Sequence, residues 1–257
     1  MGPRSRRDGA VRAEDRRLLI VSLDPDNALV QAWDRAQDSP RWQRPGVIAA
    51  TLAPAGAGAP VEDAPVGIVA RRALEAVSTR FGPDVEAVFS CRSCGEQLEA
   101  SIAAEDLLAH APAHDPGPFT VDADDGARLL VRLPRPADVA AAACVESPED
   151  AVRTLLERIV LEAPRGLDAT AYADAVGAAC EARDPLGVVD VELVCPTCGT
   201  ADRPALDISQ WCWALADAHA RRLLDEVHVL ASAYGWSERE ILSLGPRRRS
   251  FYLECVT

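Results

Sequence analysis

Two C-x-x-C-G pairs restrict the folds open to this chain more than any other feature of its sequence. The first pair is Cys91–Gly95 and the second is Cys195–Gly199. Each follows a strand-like run, over Asp84–Phe89 and Val188–Val194, and each precedes another extended run. A tight turn that carries two thiolates, with glycine where φ must be positive, is typical of a zinc knuckle.

A structural zinc site has four ligands, and one knuckle supplies two of them. The simplest closed site therefore combines both pairs, and its four ligands would be Cys91, Cys94, Cys195 and Cys198. Such a site would tie the middle of the chain to its last third. The sequence thus predicts a structural Zn²⁺ and a small zinc-ribbon-like antiparallel β region formed by two distant knuckles.

A local alternative uses two histidines in place of the second cysteine pair. Cys91, Cys94, His110 and His114 have the order and spacing of a two-cysteine, two-histidine zinc site. However, Pro112 lies between the two histidines and would break the helix that usually presents them. This alternative also leaves the second pair without a role.

Two further alternatives need no metal. Cys195 and Cys198 resemble a redox dithiol, but such a dithiol belongs at a helix N-terminus, and Gly199–Pro204 is a poor helix start. In the other alternative, all these cysteines are buried thiols. The cysteines outside the pairs are predicted to be small core residues, and they are Cys144, Cys180, Cys212 and Cys255.

The composition limits the function classes. The chain has 257 residues, a net charge of −13 and 48% hydrophobic residues, and all 27 of its basic residues are arginines. So acidic a chain is a poor candidate for general nucleic-acid binding, which requires clustered positive charge. No apolar run approaches the ~20 residues of a membrane span, and no apolar signal core is present, so we expect a cytoplasmic protein.

The remaining pattern indicates a mostly helical α+β protein. Asp207 caps a long helix that extends to Tyr234, and Ser147 begins a helix whose buried face includes Val152 and Val160. An Asp-Gly turn joins a predicted hairpin. The predicted segments are a disordered arm (1–17), an N-terminal helical region (18–83) with an apolar run at Leu18–Leu23 and a linker at Ala53–Pro60, the first knuckle with the hairpin (84–133), central helices (134–187), the second knuckle (188–206) and C-terminal helices (207–257).

Catalytic signatures are missing from the sequence. It contains no Gly-rich phosphate loop, no G-x-S-x-G, no H-E-x-x-H and no kinase signature. With four histidines in all, a catalytic triad is also a poor fit. We therefore expect a protein that is not an enzyme.

An ordered set of motifs extends over roughly residues 60–257. The motifs are C-x-x-C-G-x-x-L-E at Cys91–Glu99, R-L-P-x-x-x-D at Arg132–Asp138, C-P-x-C-G at Cys195–Gly199, the tail Leu223–Leu242, the run Arg247–Arg249 and Phe251–Glu254. In this combination and order the chain resembles the T4-type phage baseplate hub assembly chaperones. The resemblance is to the branch found in contractile tails and phage-tail-like contractile injection systems.

The resemblance implies a non-enzymatic assembly factor that binds a hub, baseplate or spike subunit of a contractile particle. We expect partner contacts from exposed aromatic and basic groups of the tail. The candidates are Trp211, Trp213, Tyr234, Trp236, Arg247, Arg248 and Arg249, and for each aromatic the competing interpretation is core packing. A second function class remains open, namely a zinc-ribbon regulator that binds nucleic acid or a polymerase.

Overall fold

The computed structural model describes residues 25–52, 63–112 and 114–256. The predicted arm over 1–17, the apolar run Leu18–Leu23 and the linker Ala53–Pro60 lie outside the described residues. The α-helices of the described part are α1 (Pro25–Gln37), α2 (Arg44–Leu52), α3 (Val66–Phe81), α4 (Ala104–His110), α5 (Pro136–Ala142), α6 (Pro148–Ile159), α7 (Ala173–Glu181), α8 (Ile208–Tyr234), α9 (Glu238–Leu242) and α10 (Pro246–Glu254). Short 3-10 turns cover Arg41–Gln43 and Ala169–Tyr172.

The strands are short and antiparallel. They are β1 (Asp84–Ser90), β2 (Gln97–Ala103), β3 (Phe119–Asp122), β4 (Arg128–Val131), β5 (Val160–Glu162), β6 (Val189–Asp190), β7 (Leu193–Val194), β8 (Ala201–Asp202) and β9 (Ala205–Leu206). They form a β1–β2 hairpin, a β3–β4–β5 sheet, and the pairs β6–β9 and β7–β8. The predicted α+β class with mostly helical content is confirmed.

The main core surrounds the long helix α8. Helices α1, α2 and α3 pack against it, and Leu29, Ile48, Leu74 and Leu230 are completely buried there. The sequence predicted the ends of α8 from its caps. The Asp207 side chain accepts a hydrogen bond from the Gln210 N–H over 3.0 Å, and Gly235 ends the helix in the left-handed conformation.

A second, smaller core lies under the three-stranded sheet. Val121, Leu129 and Val131 of the sheet pack against Leu156 and Ile159 of α6. The hairpin of β3 and β4 was predicted, but β5 was not.

The predicted buried face of α6 was wrong at Val152, which is 43% exposed. Val160 packs against the second core as predicted, but it leaves the helix and pairs with Val131 on β4. The edge of β4 offers backbone partners at Val160, so pairing within the sheet replaces a further helical turn.

The two C-x-x-C-G pairs lie at the tips of two hairpins. Strands β1 and β2 pair continuously, from Asp84 opposite Ala103 to Ser90 opposite Gln97. The second hairpin is interrupted, because Pro204 has no N–H to donate and only its carbonyl bonds the Val191 N–H, over 3.0 Å. Within the described residues, none of the helices is both long and apolar enough to cross a membrane.

Candidate metal centre

The first C-x-x-C-G turn is closed by two backbone hydrogen bonds. The Cys91 N–H donates to the Glu96 carbonyl, and the Gly95 N–H donates to the Cys91 carbonyl, each over 2.8 Å. Gly95 has φ +79°, a conformation that side chains with a Cβ rarely adopt. The chain therefore reverses within four residues and leaves both thiols on the inner side of the turn.

The second turn has the same geometry. The Cys195 N–H donates to the Thr200 carbonyl, and the Gly199 N–H donates to the Cys195 carbonyl, each over 2.9 Å. Gly199 has φ +71°. The two segments are far apart in the chain, yet they adopt the same backbone arrangement because they share the C-x-x-C-G pattern.

The two turns face each other and bring their sulfur atoms together. Cys91 Sγ lies 3.7 Å from Cys198 Sγ, and Cys94 Sγ lies 3.6 Å from Cys195 Sγ. All four sulfur atoms lie within 4.8 Å of one another. Four thiolates at ~2.3 Å from a tetrahedral Zn²⁺ would lie ~3.8 Å apart. The cluster therefore has the size and the ligand type for one metal ion, and zinc is compatible with it.

Each turn buries its first cysteine and exposes its second. Cys91 is 4% exposed and Cys195 is 1% exposed, and both belong to one small apolar cluster with Leu98. Cys94 and Cys198 lie at the surface. Phe89 and Leu193 complete this small apolar cluster. A bound ion would thus be shielded on one side and close to solvent on the other.

The exposed cysteines have opposite acid–base properties. The Thr200 hydroxyl, whose Oγ1 lies 3.2 Å from Cys198 Sγ, and the Thr200 backbone lower the pKa of Cys198 to about 6. The Glu96 backbone lowers the pKa of Cys94, but the partial loss of hydration beside the other turn and the three neighbouring thiols outweigh it and raise that pKa to about 12. Four thiols in this volume do not ionise together readily, and a divalent cation would supply the missing positive charge.

Direct polar contacts between the two knuckles are few and exposed. Arg92 Nη2 lies 3.1 Å from Asp202 Oδ1, and the Thr197 hydroxyl donates to Glu96 Oε2 over 3.3 Å. The Arg92 side chain is 70% exposed, and exposed ion pairs contribute at most about 1 kcal/mol. These contacts orient the knuckles but are too weak to hold them together.

The fold does not bring the two histidines of the local alternative to the first cysteine pair. His110 lies in the last turn of α4, with its Nδ1 2.8 Å from the Asp106 carbonyl oxygen. Among the described residues, the group that could hold a metal contains the four paired cysteines and neither His110 nor His114. The redox alternative also lacks its usual setting. The second pair leads into β8, so Cys195 and Cys198 do not lie at the helix N-terminus that a redox dithiol normally occupies.

The cysteines outside the cluster differ from one another. Cys212 is completely buried in the main core, as predicted, and Cys180 is partly buried. The prediction was wrong for Cys144 and Cys255, which are exposed. Cys255 directly follows the last residue of α10, and Cys144 lies two residues beyond the end of α5.

Two of the tryptophans predicted to contact a partner attach α8 to its neighbours. Trp211 donates from Nε1 to the Glu86 carbonyl over 2.7 Å and so holds β1 against α8. Trp213 is partly buried against the main core, and the Arg44 guanidinium lies 5.3 Å from its ring centroid. Core packing therefore accounts for both.

The Arg247–Arg249 run divides between surface and interior. Arg247 and Arg248 are exposed, whereas Arg249 is 4% exposed. Its Nη2 lies 2.8 Å from Asp26 Oδ2 and its Nε lies 2.5 Å from Glu226 Oε2. The prediction that the whole run faces a partner is therefore wrong for Arg249, because that guanidinium joins α10 to α1 and α8.

The aromatic residues of the tail form one cluster. Tyr234 and Trp236 stack with centroids 4.6 Å apart, and Tyr252 meets both edge-on at 5.8 and 5.0 Å. Phe251 meets Tyr252 edge-on at 5.6 Å and is 60% exposed. Sequence reasoning did not include Phe251 or Tyr252 among the partner candidates. Their spacing of four residues from Arg247 and Arg248 was the available signal.

The R-L-P-x-x-x-D motif forms a buried ionic network. Asp138 is 2% exposed, accepts from Arg132 over 2.7 and 3.1 Å, and accepts from Arg158 Nε over 2.8 Å. It also accepts the Arg135 N–H and so caps α5. The motif therefore fixes α5 and α6 beside the sheet and has a structural role.

No protein-family model, curated protein or solved structure matches this chain.

Proposed function

We propose that the four cysteines of the two knuckles bind one structural Zn²⁺ and so form a zinc-ribbon-like unit. The observation that supports it best is the close approach of four sulfur atoms at 3.6 and 3.7 Å across two hairpins. Four protein ligands would fill a tetrahedral site and leave no open position for a substrate or a reactive water. Such a site suits a scaffold and not a catalyst.

The metal assignment is tested by elemental analysis of the purified chain. We expect one zinc per chain in the wild type and none in the double variant Cys91→Ser/Cys195→Ser. Cys144→Ser, which changes an exposed cysteine outside the cluster, is the matched control and keeps its zinc. A wild-type chain that stays metal-free after purification with added zinc would contradict the assignment.

On this scaffold, the proposed function is that of a non-enzymatic assembly factor for the baseplate hub of a contractile phage tail or a related injection system. Its support is the ordered set of motifs from Cys91 to Glu254 that resembles the hub assembly chaperones. Two of those motifs coincide with the metal centre and one with the Asp138 network. The factor would bind a hub, baseplate or spike subunit during assembly. The proposal places it in the cytoplasm, where reducing conditions keep cysteines available for metal.

Affinity capture of the tagged chain from its native host, with mass spectrometry of the bound proteins, tests the assembly function. We expect hub, baseplate or spike subunits in the captured material, and we expect the chain to be absent from purified mature particles. Recovery of nucleic acid or a polymerase instead would favour the zinc-ribbon regulator. Recovery of the chain in mature particles would make it a structural component.

A further inference from the structure

Helix α10 packs Tyr252 and Leu253 against the main core, as a usual surface helix does, but two of its other side chains reverse the usual pattern. It buries the charged side chain of Arg249, at 4% exposure, and leaves Phe251 60% exposed. A buried charge is informative, and here it occurs together with an exposed aromatic side chain on one helix of nine residues. Phe251 extends the aromatic cluster of the tail, so the exposed apolar surface here is a patch and not an isolated side chain, and such a patch favours coverage by another molecule.

Three contacts of Arg249 fix the rotation of this helix. Its Nε and Nη2 pair with Glu226 and Asp26, and its Nη1 donates to the Leu244 carbonyl over 3.0 Å. Since Arg249 points inward, the residues on the other side of α10 must point outward. Arg247, Arg248 and Phe251 lie there, at relative positions i, i+1 and i+4.

The exposed face continues onto the end of α8. Tyr234 is 38% exposed, and it stacks on Trp236, which is half-buried and packs on its other side against the main core. We define the α10 face as Arg247, Arg248, Phe251, Tyr234 and Trp236. Rigid aromatic side chains beside arginines are the groups that contribute most to binding at protein interfaces.

The charge of the α10 face is opposite to that of the chain. The chain has a net charge of −13, yet Arg247 and Arg248 are exposed and form no ion pair with the described residues. A guanidinium binds a carboxylate through two parallel hydrogen bonds. The complement of this face is therefore an acidic segment that also carries an apolar side chain.

We propose that the α10 face binds an acidic segment of a protein partner, with carboxylates on Arg247 and Arg248 and an apolar side chain against Phe251 and Trp236. This inference rests on the proposed assembly function and specifies the chemistry of the partner. The segment would add to the aromatic cluster that α8 and α10 already share.

A display library of random short peptides, selected on the zinc-loaded full-length chain, tests the inference. We expect the selected peptides to be rich in Asp and Glu and to contain an aromatic or aliphatic residue. We expect their affinity to fall by about tenfold or more in Arg247→Ala/Arg248→Ala and in Phe251→Ala, since each change removes a charge-assisted or a central apolar contact.

Two controls match these variants elsewhere on the surface. Arg128→Ala removes an exposed arginine on β4, and Val88→Ala shortens an apolar side chain on β1 that is 62% exposed. Neither should change the affinity. Truncation after Tyr234 is not a suitable test, because Ile241 and Leu242 of α9 belong to the main core.

The proposal is overturned if the selected peptides lack acidic residues, if no peptide is selected, or if the α10-face variants bind them as tightly as the wild type. A dimer in solution that Phe251→Ala dissociates would also overturn it, because a second copy would then cover the face. If the α10-face variants still capture hub or baseplate subunits, the assembly function stands and this inference fails. If acidic peptides bind but no such subunit is captured, the assembly function fails instead.

Discussion

Gly67 lies in the first turn of α3, directly against the side chain of Asp184. The Gly67 N–H donates to Asp184 Oδ2 over 2.9 Å, so a carboxylate from the loop after α7 caps α3. A Cβ on Gly67 would lie 1.7 Å from Asp184 Oδ1. Glycine is therefore required here by close approach and not by its own backbone angles.

We expect Gly67→Ala to lower the free energy of unfolding by about 2–4 kcal/mol, because the carboxylate must move away and the cap is lost. Gly177→Ala in α7 is the matched control, since no neighbouring atom lies within 4 Å of the position that its Cβ would occupy. That change should raise the free energy of unfolding by about 0.5–1 kcal/mol, as alanine is the better helix former. Urea denaturation of both variants checks the pair, and equal effects would contradict the steric explanation.

Asp184 itself should make stability depend on pH. Burial raises its pKa, although the Gly67 N–H opposes this, and Asp115 adds repulsion. A folded-state pKa above the unfolded value of ~3.9 means that the folded chain binds the proton more tightly. The stabilisation by this proton is complete at pH values below the unfolded pKa, and it is lost as the pH rises through the folded pKa.

Asp184→Asn removes this titration and keeps an oxygen that can accept from Gly67. We expect the stability of the wild type relative to the variant to decrease as the pH rises above about 4, and to level off above the folded pKa. Denaturation curves of both proteins over this range check the sign. A relative stability that increases with pH would contradict it.

At the scale of elements, the fold is assembled by ionic contacts between helices as well as by apolar packing. Asp138 joins α5 and α6 beside the sheet, and Arg249 joins α10 to α1 and α8. Both are almost completely buried, and breaking such a pair leaves a carboxylate or a guanidinium in a site that water reaches poorly. The same contacts determine which faces of α5 and α10 remain outside.

We expect Arg249→Ala to lower the free energy of unfolding by about 2–4 kcal/mol and to expose α10 to proteases. The reason is that Glu226 and Asp26 lose their contact with this guanidinium. The neighbouring exposed residue gives the control, because Arg248→Ala should change stability by less than about 0.5 kcal/mol. Chemical denaturation with limited proteolysis checks both, and equal effects of the two substitutions would contradict a buried ionic role for Arg249.

At the scale of the whole molecule, the knuckle cluster is separate from the two cores. Cys91, Leu98 and Cys195 form their own small cluster, whereas Val85 of the first hairpin and Leu206 of the second pack against the main core. The bases of both hairpins are therefore held by apolar packing. Under the proposed function, the metal would join their tips, where the apolar cluster is small.

Zinc removal should accordingly destabilise the hairpin tips and leave the main core folded. We expect a chelator to raise amide exchange at the tips, over residues 90–97 and 194–201, by about a hundredfold or more, since metal binding is a large part of the folding energy of such sites. Most of the helical circular dichroism signal should remain, because the main core does not include the site. Unchanged exchange at both tips after complete chelation would contradict the structural role of the metal.

The sequence was most informative where a local pattern specifies a local structure. The C-x-x-C-G turns, the cap at Asp207 and the Asp-Gly hairpin each depend on contacts between residues close in the chain. These features were therefore predictable, and so was the set of cysteines that the fold brings together. Pairing the two knuckles required only that a closed site has four ligands.

The tertiary structure alone decided the long-range contacts. No local pattern marks Val160 as a strand residue that pairs with Val131, Asp184 as the cap of α3, or Arg249 as the buried member of an arginine run. In each case the partner comes from a distant segment, and its contribution exists only after the elements have packed. Local propensities determine most of the elements, whereas pairing between distant segments adds β5, and burial determines which side chains remain available for binding.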